Sequence, residues 1–126
     1  CEAAWIVHGD GLDELTTTGT SQVAELRAGA VRTFSITPEN AGLPRARVED
    51  LIGGTPAENA AKLRALLAGE RGPYRDIVLL NAAAAMIVAG TADSLAKGIE
   101  CGTAAIDNGR ATLALDQLIE ITQKTT

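Results

Sequence analysis

The run from Ile77 to Ala89, Ile-Val-Leu-Leu-Asn-Ala-Ala-Ala-Ala-Met-Ile-Val-Ala, constrains the fold of this chain more than any other stretch. It is apolar on nearly every side of a 3.6-residue period, a pattern helices show when neighbours surround them. Gly72-Pro73 supplies a helix start and Gly90 a C-terminal stop, so the pattern predicts a central helix ending near Ala89. The run is shorter than the roughly 20 residues of a membrane span and contains Asn81. That amide is the anomaly, because leaving it buried and unpaired costs about 1–3 kcal/mol. Two destinations stay open for it: a neighbouring backbone, which it would staple to the helix, or a ligand cleft.

At 126 residues the chain suits one domain with one modest core. Aromatic residues make up 2% (Trp5, Phe34 and Tyr74), so the core must be built from Leu, Ile, Val and much Ala. Small side chains let helices approach closely but each buries little apolar surface, so such a core gains from a partner or neighbouring domain. The net charge of −5 argues against a nucleic-acid surface, which needs clustered Lys and Arg. Cys1 and Cys101 form neither a zinc cluster nor a disulfide framework, and they fit a reducing interior. No signal peptide precedes the first strand, so a soluble, cytoplasmic protein with no membrane partner is expected. The abrupt beginning at Cys1 looks like the edge of a fragment.

Ala4–Val7 reads as a buried strand, and Gly9–Glu14 as a glycine-broken loop. Thr16–Ser21 is too polar and irregular for a packed element. Gln22–Leu26 and Val31–Ile36 are β-prone and flank Arg27-Ala28-Gly29-Ala30, a hairpin signal; Ala24 can share a face with Leu26, as can Val31 with Thr33. The turn-rich link Thr37–Pro44 leads to a short helix candidate, Arg47–Ile52, stopped by Gly53-Gly54. Thr55 as N-cap, Pro56 and Glu58 then start a helix running to about Ala68, with Ala60, Leu63, Leu66 and Leu67 on the packed side. Asn59 reads as a solvated side chain, with the alternative that it points back towards site-forming loops. Asp93-Ser94 begins a helix through Leu95, Ile99 and Ile106, in which Gly98 and Gly102 form a smooth strip for close backbone contact. After Asn108-Gly109, a final helix, Leu113–Ile121, offers Leu115, Leu118 and Ile119 to the core, and 123–126 should fray. The class is α/β: a partial sheet with a short β-hairpin, followed by a helical C-terminal half.

Chemistry concentrates in Trp5-Ile6-Val7-His8-Gly9-Asp10-Gly11-Leu12-Asp13-Glu14, where a strand runs into a loop carrying adjacent carboxylates. Loops at strand ends are where α/β proteins hold ligands, and adjacent acids in a turn can converge on one hard cation. The residues alone leave open a solvated turn or a helix cap. His8 is the only histidine, and no Ser or Cys nucleophile signature accompanies it. It reads as structural, with contact to a phosphate or a proton-transfer role as the alternative. Gly9-Asp10-Gly11 lacks GxGxxG spacing, and no Walker sequence is present.

Val7 to Glu14, then Ile36-Thr37-Pro38-Glu39 and Gly42-Leu43, Gly53-Gly54-Thr55-Pro56-Ala57-Glu58-Asn59-Ala60, Leu79-Leu80-Asn81-Ala82-Ala83-Ala84 and Ala104-Ala105-Ile106-Asp107-Asn108-Gly109-Arg110-Ala111 together resemble the anthranilate phosphoribosyltransferase family. The order is consistent across essentially the whole chain; Gly102 departs, since the family favours a better helix former there. The resemblance implies that residues 1–126 are the C-terminal portion of the phosphoribosyl pyrophosphate-binding α/β domain, of nucleoside phosphorylase/phosphoribosyltransferase type. It implies transfer of phosphoribose from phosphoribosyl pyrophosphate to anthranilate in tryptophan biosynthesis, with release of pyrophosphate. Mg²⁺ is the implied cofactor, with Asp13 and Glu14 its ligands, and the resemblance assigns no catalytic residue within the chain. The family's glycine-rich phosphate loop, helical domain and anthranilate-contacting arginine would lie upstream. The chain alone is therefore expected to be inactive, its partner the missing N-terminal part, and the complete enzyme a homodimer. The competing readings are a related phosphoribosyltransferase or nucleoside phosphorylase fragment, and a non-catalytic assembly or metabolite-binding module.

Overall fold

The computed structural model describes residues 1–124. Three antiparallel strands come first, β1 (Ala3–Gly9), β2 (Ser21–Arg27) and β3 (Ala30–Ile36), hydrogen-bonded in the order β1-β2-β3. Ala28 and Gly29 join β2 to β3 with φ of 51° and 78°, the left-handed pair that a tight two-residue hairpin requires. Alternation along the strands turns Trp5, Val7, Val23, Phe34 and Ile36 inward. Ala24 and Leu26 do share a face, and so do Val31 and Thr33, but it is the outward one. β1 is not the buried strand expected from its apolar run: it pairs on one side only, and its outward Ile6 is 72% exposed.

Short 3-10 turns at Pro38–Ala41 and Val48–Leu51 carry the chain towards the helices. The second replaces the helix expected over Arg47–Ile52. The Asp50 carboxylate accepts the Arg47 N–H at 3.2 Å, and Gly53-Gly54 follows before a second turn can form. In α1 (Pro56–Leu67), Thr55 Oγ1 accepts the Glu58 N–H while the Glu58 carboxylate accepts the Thr55 N–H, the reciprocal cap that the sequence predicts. Leu66 is buried and Leu63 and Leu67 half-buried, but Ala60 is exposed, because α1 packs only through its later turns.

α2 (Pro73–Val88) is the central helix, burying Ile77, Leu79, Leu80, Ala83, Ala84 and Ile87 between the sheet and α3 (Leu95–Asp107). Gly98 and Gly102 make the close approach possible. A Cβ on Gly98 would lie 2.6 Å from Ala83 Cα, and one on Gly102 would lie 2.9 Å from the Leu79 Cδ2 methyl. α3 runs unbroken through Gly102, whose low helix propensity is offset by this packing. α4 (Arg110–Gln123) begins before the expected Leu113, since Asn108 Oδ1 accepts the Arg110 N–H at 3.1 Å and Gly109 adopts φ 82°. Leu115 and Ile119 are half-buried as proposed for the core, whereas Leu118 is 57% exposed because α4 presses one narrow stripe on α1 and α3. Gln123 closes α4; of the segment expected to fray, 125–126 lie outside the described residues.

The core has two parts: Leu15, Val23, Ile36, Ala41, Leu80 and Ala84 between sheet and α2, and Leu66, Leu79 and Ile106 among the helices. The polar connector Thr16–Ser21 proves to be packed, with Thr16, Thr17 and Ser21 fully buried. Two of its hydroxyls meet local backbone donors: Ser21 Oγ accepts the Thr16 N–H at 2.9 Å and Thr16 Oγ1 the Thr18 N–H at 3.0 Å, whereas the buried Thr17 Oγ1 has no hydrogen-bond partner among the described residues. Among the described residues, no helix is long and apolar enough to cross a membrane.

The glycine strip yields a paired expectation. Gly98→Ala should destabilise the chain by about 1–2 kcal/mol despite the better helix former, because its Cβ meets backbone. Gly102→Ala should cost less, since a leucine methyl can move aside. Thermal unfolding of both variants checks this; equal melting temperatures would refute the close α2–α3 contact at Gly98.

Candidate functional site

β1 ends in a tight reversal. The Gly9 N–H donates to Leu12 O at 3.1 Å and the Leu12 N–H to Gly9 O at 3.0 Å, with Asp10 (φ 49°) and Gly11 (φ 93°) as left-handed turn residues. Gly9 has no room for a side chain, because a Cβ there would sit 2.5 Å from Glu14 O and 2.7 Å from Thr16 N. The chain thus folds back against the strand end and presents Asp13 and Glu14 to solvent. Neither carboxylate ion-pairs with another described residue.

Immediately past the acids the backbone is fixed. Leu15 is fully buried; its N–H donates to Asn81 Oδ1 at 2.9 Å, and its carbonyl accepts from Asn81 Nδ2 at 2.9 Å. The same Nδ2 donates to Ile77 O within α2 at 3.0 Å. Of the two destinations open to Asn81, the staple to a neighbouring backbone is the one adopted. Further on, the Ala46 N–H donates to Thr17 O at 2.9 Å and Arg45 Nη1 to Thr18 O at 3.4 Å. The acid loop is therefore bracketed by a reversal on one side and a doubly bonded leucine on the other.

His8 is exposed, and its Nε2 accepts the Gly11 N–H at 3.4 Å, so the imidazole supports the reversal, as a structural histidine would. Asn59 is not merely solvated. Its Oδ1 accepts the Gly54 N–H at 2.8 Å and its Nδ2 donates to Gly54 O at 3.1 Å, repeating the Asn81 arrangement on a second loop. With Glu58 holding the Thr55 N–H, the Gly54-Thr55 amides are engaged internally and form no phosphate cradle. In sequence, Asn59 stands out as lying four positions past the Thr55 cap and Asn81 as a polar residue in an apolar helix, but the partner of neither is read from the sequence.

Among the described residues, no group of three or more His, Cys, Asp or Glu gathers to hold a metal. A pair of unpartnered carboxylates on a fixed loop nonetheless fits Mg²⁺, which takes one or two carboxylates and fills the rest of its octahedron with water and substrate phosphate. A transition metal needing a full protein cage would not fit.

The buried carboxylate of Glu25 is of a different kind. It accepts Trp5 Nε1–H at 3.0 Å and the Arg32 guanidinium, with Arg27 Nε 3.5 Å away. Arg32 also lies over the Phe34 ring, and Trp5 meets Phe34 edge-on. The Arg32 hydrogen bond, helped by Trp5, holds the Glu25 carboxyl below the usual range against the opposing effect of burial. Its oxygens are engaged, so it ties the sheet together rather than offering a reactive acid.

Over residues 1–112 the chain matches the model of the glycosyl transferase family, a/b domain. The chain belongs to this family. The anthranilate phosphoribosyltransferase of Phenylobacterium zucineum is 60% identical over 121 residues, covering 96% of this chain and 36% of the relative. That of Parvibaculum lavamentivorans is 58% identical over 122 residues, with the same shares covered. Among solved structures, the Thermus thermophilus anthranilate phosphoribosyltransferase aligns with a TM-score of 0.83 at 40% identity, over 94% of this chain and 35% of that one. The Saccharomyces cerevisiae enzyme in complex with PRPP and Mg aligns with a TM-score of 0.83 at 27% identity, over 92% of this chain and 34% of that one. The chain thus spans about a third of the length of these relatives. An antiparallel sheet followed by helices is the layout this segment takes in the glycosyl transferase family.

Because the folded-state pKa of Glu25 is depressed, its stabilisation is complete above the ordinary glutamate value of about 4.3 and is lost as pH falls through the lower folded value. Glu25→Gln should therefore melt earlier at neutral pH and show a shallower decline in acid. Thermal unfolding from neutral to strongly acidic pH checks this, and parallel curves for variant and wild type would contradict it.

Proposed function

We propose that this chain is the C-terminal portion of the phosphoribosyl pyrophosphate-binding α/β domain of an anthranilate phosphoribosyltransferase. The complete enzyme would move phosphoribose from phosphoribosyl pyrophosphate to the amine of anthranilate, releasing pyrophosphate. The observation that carries this reading is the Asp13-Glu14 pair, exposed and unpartnered on a fixed loop. It stands in a chain 60% identical over 121 residues to one enzyme of that name, and a yeast relative was captured with PRPP and Mg.

In this reading Asp13 and Glu14 hold Mg²⁺ against the diphosphate of the substrate. When bound, the ion would neutralise charge on the departing pyrophosphate and fix its orientation. The chain's own part is to fix the backbone that carries the two acids: the Gly9–Leu12 reversal turns it back at the strand end, and the buried Leu15 prevents the loop from swinging away. Because positive character develops on the ribose as its bond to pyrophosphate breaks, much of the rate would come from positioning and electrostatics.

Three features support further protein packing on this segment. β1 leaves an unpaired edge, and beside it an open groove of about 480 Å³ runs along α2, lined by Ala3, Trp5, Val7, Ala84 and Val88. On the sheet's outer face Ile6 and Val31 are 72% and 70% exposed. The N-terminal part of the same enzyme is the occupant we infer, with homodimerisation through its helical domain and, from the free thiols, a cytoplasmic setting.

The test is made in the complete enzyme. Asp13→Asn with Glu14→Gln keeps side-chain shape and removes the charges, so folding should persist while Mg²⁺-dependent turnover falls at least about tenfold, or about 1.4 kcal/mol. Wild-type turnover with an unchanged Mg²⁺ requirement would overturn the metal assignment. The 126-residue chain alone should consume no anthranilate, and turnover by it would overturn the fragment reading.

A further inference from the structure

We infer that Asn81 is a positioning residue for the acid pair, an inference that rests on the Mg²⁺ reading of Asp13 and Glu14. The N–H of Leu15 belongs to the planar peptide unit that begins at Glu14 Cα, so whatever fixes that N–H also fixes the direction in which Glu14 leaves the backbone. This peptide is gripped on two sides. Asn81 Oδ1 takes its N–H at 2.9 Å, while its carbonyl, Glu14 O, lies so close to Gly9 that a Cβ there would come within 2.5 Å. Asn81 Nδ2 then holds the next carbonyl, Leu15 O, at 2.9 Å and is itself anchored to Ile77 O at 3.0 Å. Every hydrogen bond that Asn81 makes in this group ends on main chain, and together they join the acid loop to the rigid centre of α2.

A side-chain amide hydrogen-bonded in this way stabilises the fold in any case, so stability alone does not distinguish the two roles. What distinguishes them is cation affinity at the loop. A loop whose Glu14 peptide is already oriented loses less freedom when a cation binds, whereas a released one must first be ordered. Asn81 contributes no charge to the cation and touches neither carboxylate. Its effect on affinity comes through the backbone.

The measurement is Mn²⁺ binding to the complete enzyme in the presence of pyrophosphate, followed by the electron paramagnetic resonance of free Mn²⁺. Asn81→Ala should weaken binding about three- to tenfold, somewhat less than the loss of a group bonded directly to a metal ligand. Ile106→Ala, a core truncation among the helices, serves as the stability control and should leave binding within about twofold of wild type. Asn81→Asp keeps the shape, accepts the Leu15 N–H and turns a second oxygen against Leu15 O. Charge alone would tighten cation binding in this variant, whereas loss of the clamp weakens it, and weakening is the expected sign. It also covers the case in which Asn81→Ala fails to fold.

Wild-type affinity in Asn81→Ala, tightening in Asn81→Asp, or equal weakening in Asn81→Ala and Ile106→Ala would each overturn the positioning role. The metal reading fails separately: Asp13→Asn with Glu14→Gln would then leave Mn²⁺ affinity unchanged, and the positioning role would fall with it.

Discussion

One side-chain amide, that of the half-buried Asn81, ties the two halves of this molecule together. The strands and the acid loop precede any helix in the chain, and α2 could slide against them if apolar contact alone joined them, since hydrophobic attraction has no preferred direction. The hydrogen bonds between Asn81 and both backbone groups of Leu15 remove that freedom. Shifting α2 would leave the backbone groups of the fully buried Leu15 without these partners, at about 1–3 kcal/mol for each one left unpaired. The interaction therefore sets register as well as contributing stability.

The rest of the architecture keeps α2 where this bond can form. On its far side, Gly98 lets α3 approach until backbone meets backbone at Ala83, so an aromatic-poor chain still brings these two helices into close contact. On its near side, the sheet is fastened again by Arg27 Nη2, which donates to Ile87 O at 3.1 Å. That arginine neighbours the Glu25 carboxylate, where Trp5 of β1 and Arg32 of β3 also converge. α2 is thus held to the sheet near the acid loop through Asn81 and near the hairpin through Ile87. A platform fixed at both ends can present two carboxylates in a defined direction without burying either of them.

Much of this was legible in the sequence because the deciding physics is local. Thr55, Pro56 and Glu58 define a helix start by themselves, Ala28-Gly29 defines a hairpin, and Gly72-Pro73 with Gly90 brackets α2. The oddity of Asn81 in an apolar helix was also visible, along with the need for a partner, though not which of two destinations it takes. Features that depend on what lies opposite were not legible. Ile6 reads as buried but faces solvent from an edge strand, and Leu118 reads as core but lies outside the narrow stripe α4 presses on its neighbours. The hydroxyl-rich connector after the acids reads as exposed, yet Thr16 and Thr17 are fully buried; the Thr16 N–H and Oγ1 find local partners in Ser21 and Thr18, while the Thr17 hydroxyl has none among the described residues. Adjacent acids on a loop are visible in sequence; that their loop is rigid is a property of distant residues.

The Leu15 amide tests this account most directly. Hydrogen exchange resolved by residue, by NMR on the folded protein, compares that proton with its neighbours. If Asn81 holds it, Leu15 should exchange as slowly as the buried interior of α2, while the exposed Asp13 and Glu14 amides exchange quickly. A Leu15 amide that exchanges at the rate of Asp13 and Glu14 would mean that the loop is not fastened to α2, and the account would fail there.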